Sequence, residues 1–154
     1  MFKEADYVMS QEYGLCTVVS SLGQNSEQET CYQLKKVNSE VLLEPQSSAT
    51  LRHPMSKEKA DNLLGRLKDL TVKWIRKPAL RNEQYAKMVA GGKAEDLATA
   101  IKYFYFLNKY SWGKGLGALQ DLFDKAKSHF FGELAHVYEI SEEEAMDLFK
   151  EKLK

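Results

Sequence analysis

The sequence predicts an α+β chain, a small N-terminal β barrel followed by a C-terminal domain of five helices. Three observations carry the prediction. Residues 1–45 contain four short runs rich in β-branched, aromatic and aliphatic side chains, separated by Gly, Asn and Ser. From Ser56 onward, apolar residues recur at the three-and-four spacing of buried helix faces. Between these blocks, Gln46-Ser47-Ser48-Ala49-Thr50 is small and polar, the composition of a linker or exposed loop. The boundary therefore falls there, with a β domain over 1–50 and a helical domain over 51–154.

The strand runs are Asp6-Tyr7-Val8-Met9, Leu15-Cys16-Thr17-Val18-Val19, Cys31-Tyr32-Gln33-Leu34-Lys35 and Val41-Leu42-Leu43. Turns are expected at Glu12-Tyr13-Gly14, Gly23-Gln24-Asn25-Ser26 and Val37-Asn38-Ser39-Glu40. Ser56 is a suitable N-cap for a first helix whose buried face is Ala60, Leu63, Leu64 and Leu67. A second helix runs from about Pro78 to Val89 and stops at Gly91-Gly92, and a third runs from about Ala94 to Tyr110. The fourth covers about Leu116 to Tyr138, with Leu119, Leu122, Phe123, Ala126, Phe130, Leu134 and Val137 on one stripe. The fifth begins at Ser141, whose spacing to Glu144 is that of a capping box.

Composition narrows the function classes. With 44% hydrophobic and 29% charged residues, the chain reads as an ordinary globular protein, and it has no apolar run of the roughly 18 to 20 residues that span a bilayer. The N-terminus Met1-Phe2-Lys3-Glu4-Ala5-Asp6 carries acids where a secretory signal carries basic residues, so a cytoplasmic location without membrane attachment is expected. Cys16 and Cys31 could oppose each other across a hairpin turning near Gly23-Gln24, but in a reducing compartment free, buried thiols are expected.

Net charge is zero but unevenly placed. Residues 1–54 hold 4 basic against 7 acidic residues, a net of −3, whereas 66–127 hold 13 against 6, a net of +7. A basic middle between acidic ends suits a surface facing phosphate; a solvated helical surface would look the same.

Catalytic chemistry finds little footing. His53, His129 and His136 are dispersed, without the spacing of a metal-ligand motif, so neither metal nor cofactor is expected. Gly113-Lys114-Gly115-Leu116-Gly117 lacks the Ser/Thr of a phosphate-binding loop and follows a helix, so it reads as a helix–helix turn. No Ser or Cys stands in a nucleophile setting, and the chain is not expected to be an enzyme. Tyr103-Phe104-Tyr105-Phe106 reads as helix-packing core, with the tyrosines at its edge.

The informative segment is Lys73-Trp74-Ile75-Arg76-Lys77-Pro78-Ala79-Leu80-Arg81. Pro78 suits a helix's first turn and biases Lys77 away from helical angles, so Trp74 should lie in a non-helical approach ringed by cations. Basic residues seat a protein on phosphates, and an apolar ring can wedge against base steps. Trp74 is equally suited to plug the seam between two helices.

In order and spacing, several motifs resemble the CarD family, also called CdnL, of bacterial regulators that bind RNA polymerase. Phe2-Lys3-Glu4-Ala5-Asp6-Tyr7-Val8 is similar to the family's F-K-x-G-D-x-V opening, and Tyr32-Gln33-Leu34-Lys35 to its Y-x-V-L-K strand. Leu51-Arg52-His53-Pro54-Met55-Ser56-Lys57-Glu58 is similar to L-R-x-x-[IM]-S-K-E. Trp74 with Arg81, then Tyr85 to Gly92, resembles W…R…[YF]-K-x-x-L-x-S-G-D, and Lys125-Ala126-Lys127 before Gly132-Glu133-Leu134-Ala135 completes the likeness.

The resemblance implies a Tudor-like N-terminal barrel docking on the polymerase β subunit. It also implies a helical domain that props the minor groove of promoter DNA and stabilises the open complex, in a nucleoid-associated monomer. By position, Trp74 would be the wedge, with Arg76, Lys77 and Arg81 on phosphates and Lys125 and Lys127 as a second contact; Leu42, Leu43, Glu44 and Pro45 would meet polymerase. The chain departs from the family at Ala5, which replaces a glycine, and at Ser10-Gln11-Glu12-Tyr13-Gly14, which replaces Y-P-x-x-G. It departs again at Leu43, where some members carry a polymerase-contacting arginine, and at Asp121, where a basic residue is frequent.

Overall fold

A computed structural model describes residues 2–24, 30–36, 41–45, 51–72, 76–110 and 117–154. The chain divides into two units, Met1–Pro54 and Met55–Lys154. Several expectations lie outside the described residues: the turns at Asn25-Ser26 and Val37–Glu40, the linker Gln46–Thr50, Lys73-Trp74-Ile75 and the turn at Gly113–Leu116.

The first unit is an antiparallel sheet of β1 (Tyr7–Ser10), β2 (Gly14–Gln24), β3 (Thr30–Lys35), β4 (Val41–Pro45) and the two-residue β5 (Leu51–Arg52), in the order β4-β3-β2-β1-β5. Period-two patterning sends Val8, Cys16, Val18, Tyr32 and Leu34 to one buried cluster, with Phe2, Tyr13 and Leu51 against it. The β1–β2 hairpin closes where Ser10 pairs with Gly14, and Gly14 takes a φ of 82° that suits a residue without Cβ. The Ser10 hydroxyl accepts from the N–H groups of Glu12 and Tyr13, both at 3.2 Å, and so satisfies the turn's backbone. Further along β2 the register to β3 shifts between Val18 and Ser20 and again before Gly23, bends of the bulge kind. Gly23 is required by the close approach there: a Cβ would stand 2.8 Å from Gln33 Cγ.

One expectation is corrected. The sheet is open, not a barrel. Closure needs the edge strands to pair, but β4 and β5 stand at opposite ends of the order, and β5 has only the two residues that pair with Met9 and Ser10. The cysteines do not oppose each other across the β2–β3 hairpin, in keeping with the thiols expected. The register sets Cys31 opposite Gly23 and Cys16 opposite Val8, and both thiols are buried and form no disulfide. Leu51-Arg52, grouped with the helices in the sequence, forms β5 of the first unit.

The second unit is built from α1 (Lys57–Gly65), α2 (Pro78–Gly91), α3 (Ala94–Tyr110), α4 (Gln120–Tyr138) and α5 (Glu142–Leu153). Short 3₁₀ turns at Leu67–Asp69 and Gly117–Leu119 follow α1 and precede α4. Local chemistry explains the ends. Ser56 accepts from the Lys59 N–H at 3.2 Å, Gly92 ends α2 at φ 71°, and Ser141 and Glu144 form the reciprocal capping box of α5.

The core gathers Leu63, Leu64, Leu67, Leu97, Ile101, Phe104, Phe130, Leu134 and Phe149, with Phe149 edge-on to Phe130 and Phe131. Two polar ties join its elements, one buried and one at the surface. The fully buried carboxylate of Glu133 accepts from the Met55 N–H at 2.8 Å, and Tyr138 donates to Asp61 from α4 to α1. In the run Tyr103–Phe106, Tyr103 and Phe104 are both fully buried, Tyr105 is half-buried, and Phe106 is exposed. Tyr103 thus belongs to the centre, because α3 turns it toward α2, and the phenylalanine at the helix's outer side is the exposed ring.

Candidate nucleic-acid interface

The basic segment ends in an electropositive helix start. Pro78 supplies the preset φ of a first helical position, so the helix begins there, and Lys77 before it is extended at φ −83°, ψ 117°. No side chain caps this turn and no acidic residue lies in it. The backbone N–H groups of a helix start carry partial positive charge, and here Arg76 and Lys77 stand exposed beside them. Pro78, Ala79 and Leu80 are exposed as well, Leu80 to 52%, because the buried side of α2 is the Tyr85–Val89 stripe and Leu80 lies off it. The surface is cationic with an apolar contact, a combination suited to phosphate and sugar.

The remaining sequence candidates are not all on this surface. Arg81 is half-buried, its guanidinium carbon 5.9 Å from the centre of the Tyr103 ring. Tyr103 in turn stacks on Tyr85 with centroids 4.0 Å apart and an interplanar angle of 4°. Lys127 holds its ammonium 4.3 Å over the Phe123 ring and 3.7 Å from Asp124, so its charge is largely answered within α4. Lys125 is half-buried and shares with Asn82, Glu83 and Ala86 of α2 a shallow groove of about 520 Å³, which also meets Leu119, Asp121 and Leu122. Asp121 lies in the first turn of α4, where a negative charge favours the helix dipole. Arg76 and Lys77 are thus exposed, whereas Arg81, Lys125 and Lys127 are half-buried, Arg81 and Lys127 of them against aromatic rings. Trp74 lies outside the described residues.

A second concavity has the opposite character. A cleft of about 480 Å³ is lined by Arg66, Asp69, Gln84, Tyr85, Glu95 and Asp96 among others. Arg66 reaches Glu95 at 3.7 Å, leaving an acidic surplus unsuited to phosphate. Burial, with Tyr103 beside it and Arg81 opposing, pushes the Tyr85 hydroxyl up to about 12. Burial likewise raises Tyr103 and Tyr105. Among the described residues no cluster of His, Cys, Asp and Glu gathers as metal ligands, and no helix is long and apolar enough to cross a membrane.

In the first unit, Leu42 to Pro45 lie on β4, paired on one side with β3 through Leu34↔Leu42, Gln33↔Leu43, Tyr32↔Glu44 and Cys31↔Pro45. Among the described residues β4 ends the strand order, so its other side is a sheet edge that can accept a further strand.

Sequence reasoning missed Lys102, whose ammonium donates to the carbonyls of Leu67, Lys68 and Leu70. No local pattern pairs residues more than thirty positions apart. The exposure of Leu80 was within reach, because its helical angle from Tyr85 and Val89 sets it off the apolar stripe. No family model matches the chain, and no curated protein matches it.

Proposed function

We propose that the chain is a CarD-type transcription regulator of the bacterial cytoplasm, acting as a nucleoid-associated monomer. Its helical unit meets promoter DNA through the start of α2, and its β unit meets the RNA polymerase β subunit through the β4 edge. The observation that carries the reading is the uncapped start of α2, where Arg76 and Lys77 are exposed beside Leu80 with no acid in the turn. A second support comes from Ala5, which adopts a φ of 73° at the position where the family carries glycine, a residue at ease there. The open sheet would be a relative of the family's Tudor-like domain. Arg76, Lys77 and Lys125 would seat the protein on phosphates, and Trp74 would prop the minor groove and prolong the open complex. No catalytic step and no cofactor is proposed.

The test is a pull-down of RNA polymerase by the full-length protein at micromolar concentration and low salt, beside duplex binding followed by anisotropy. Capture of polymerase together with weak, sequence-independent, salt-sensitive duplex binding is expected. Failure to capture polymerase removes the regulator reading. Polymerase capture without duplex binding favours a second reading, a protein-interaction module of the same fold, which the inward engagement of Arg81 and Lys127 supports.

A further inference from the structure

We infer that Lys102 and Tyr103, neighbours on α3, clamp the two ends of the connection that bears the basic surface, and that Lys102 is a positioning residue for the DNA contact; the DNA half of this inference rests on the reading above. Successive residues on a helix point about 100° apart, so adjacent side chains can serve different neighbours. Lys102 is half-buried and turns toward the end of the first helical run. Its Nζ donates to the Leu67 carbonyl at 2.7 Å, the Lys68 carbonyl at 2.9 Å and the Leu70 carbonyl at 3.0 Å. An ammonium has three N–H donors, and all three are engaged. The three carbonyls belong to the 3₁₀ turn Leu67–Asp69 and its C-cap Leu70, a helical end that carries partial negative charge, and the cation that reaches all three comes from α3.

Tyr103 faces the other end. Its ring lies under the Arg81 guanidinium and against Tyr85. Pro78, Ala79 and Leu80 are exposed, so the first turn of α2 has no buried anchor before half-buried Arg81. Leu70 and Arg81 are thus each engaged by one of two adjacent residues of α3, and the exposed cations Arg76 and Lys77 lie between them in sequence. Lys102 directs its charge inward and neutralises no phosphate. Its removal frees the carbonyls of Leu67 to Leu70, and Arg76 and Lys77 must then be positioned at each encounter with DNA.

The experiment compares Lys102→Met, which keeps the apolar stem, with wild type and Lys77→Ala. Duplex affinity, the dependence of that affinity on salt, and the rate of tryptic cleavage after Arg76 are measured. For Lys102→Met, losing the equivalent of one charged hydrogen bond should speed cleavage after Arg76 by about tenfold and weaken duplex binding by about tenfold, with an unchanged salt slope. A slope flattened as far as in Lys77→Ala would mean that Lys102 touches phosphate and would overturn the inference. So would a cleavage rate equal to wild type, whatever the DNA result. Faster cleavage in a protein whose wild type binds no duplex upholds the clamp and removes the DNA reading. If Lys102→Met does not fold, Lys102→Arg is measured in the same way; it keeps the charge, but its planar fork cannot meet three converging carbonyls, so faster cleavage is again expected.

Discussion

The salt dependence of DNA binding distinguishes cations that face solvent from those that face the protein. Each phosphate neutralised contributes about −0.9 to the slope of log affinity against log salt. If about four of the basic residues neutralised phosphates, the slope would be roughly −3.6. The structure leaves Arg76, Lys77 and Lys125, because Arg81 lies over Tyr103 and Lys127 over Phe123. Three contacts give a slope of about −2.7, so a fourfold rise in salt should weaken binding about 40-fold. Lys77→Ala or Arg76→Ala should flatten the slope to about −1.8, a loss of about 12-fold over the same range. Arg81→Ala should leave the slope unchanged and lower the melting temperature instead, since a cation–π contact contributes about 0.5 to 2 kcal/mol. The assay is anisotropy of a labelled duplex titrated at several salt concentrations, beside thermal melting of each variant. The reasoning is refuted if Arg81→Ala flattens the slope as much as Lys77→Ala, or if wild-type affinity does not respond to salt.

Four further outcomes are expected. Ala5→Gly should raise stability by about 1 kcal/mol, because Ala5 holds a left-handed φ of 73° that is costly for any residue with a Cβ; an unchanged or lower denaturant midpoint would contradict this. Tyr103→Phe should melt at or above wild type, since the buried Tyr103 hydroxyl has no hydrogen-bond partner among the described residues and such a group costs about 1 to 3 kcal/mol; a clearly lower melting temperature would show that the hydroxyl is satisfied. Stability should hold below pH 10 and fall as pH rises from 10 toward 12, because the unfolded chain releases the Tyr85 proton at about 10 while the folded chain retains it to about 12; urea midpoints across that range should fall less steeply in Tyr85→Phe. Trp74→Ala should leave the melting temperature nearly unchanged while shortening open-complex lifetime if the ring is a wedge, whereas a loss of about 3 to 5 kcal/mol in stability would return it to the core.

Much of the fold was legible because its signals are local. Hydrophobic period distinguishes strand from helix, and Ser56, Pro78, Gly92 and the Ser141–Glu144 box mark helix ends through groups that lie within four residues of one another. The α+β class, the five helices and the four longer strands follow from such signals. So does the exposure of Arg76 and Lys77, since Pro78 fixes where the helix starts and the Tyr85–Val89 stripe fixes which side is buried.

Whether the sheet closes was not legible. Closure depends on edge strands distant in sequence, and the two-residue β5 lies within a motif read as the approach to a helix. The same limit applies to charge. Arg81 reads in sequence as one more cation of the basic segment, and only packing set it on Tyr103, whereas Lys127 meets Phe123 four residues earlier on the same helix. Lys102 is the sharpest case: as a residue it is one more cation in a basic stretch, yet the fold brings it to three carbonyls 32 to 35 positions away. The sequence by itself determined which elements form, because backbone and cap preferences act over a few residues. The tertiary structure decided which charges remain available to a partner, because long side chains choose among neighbours that only folding brings together.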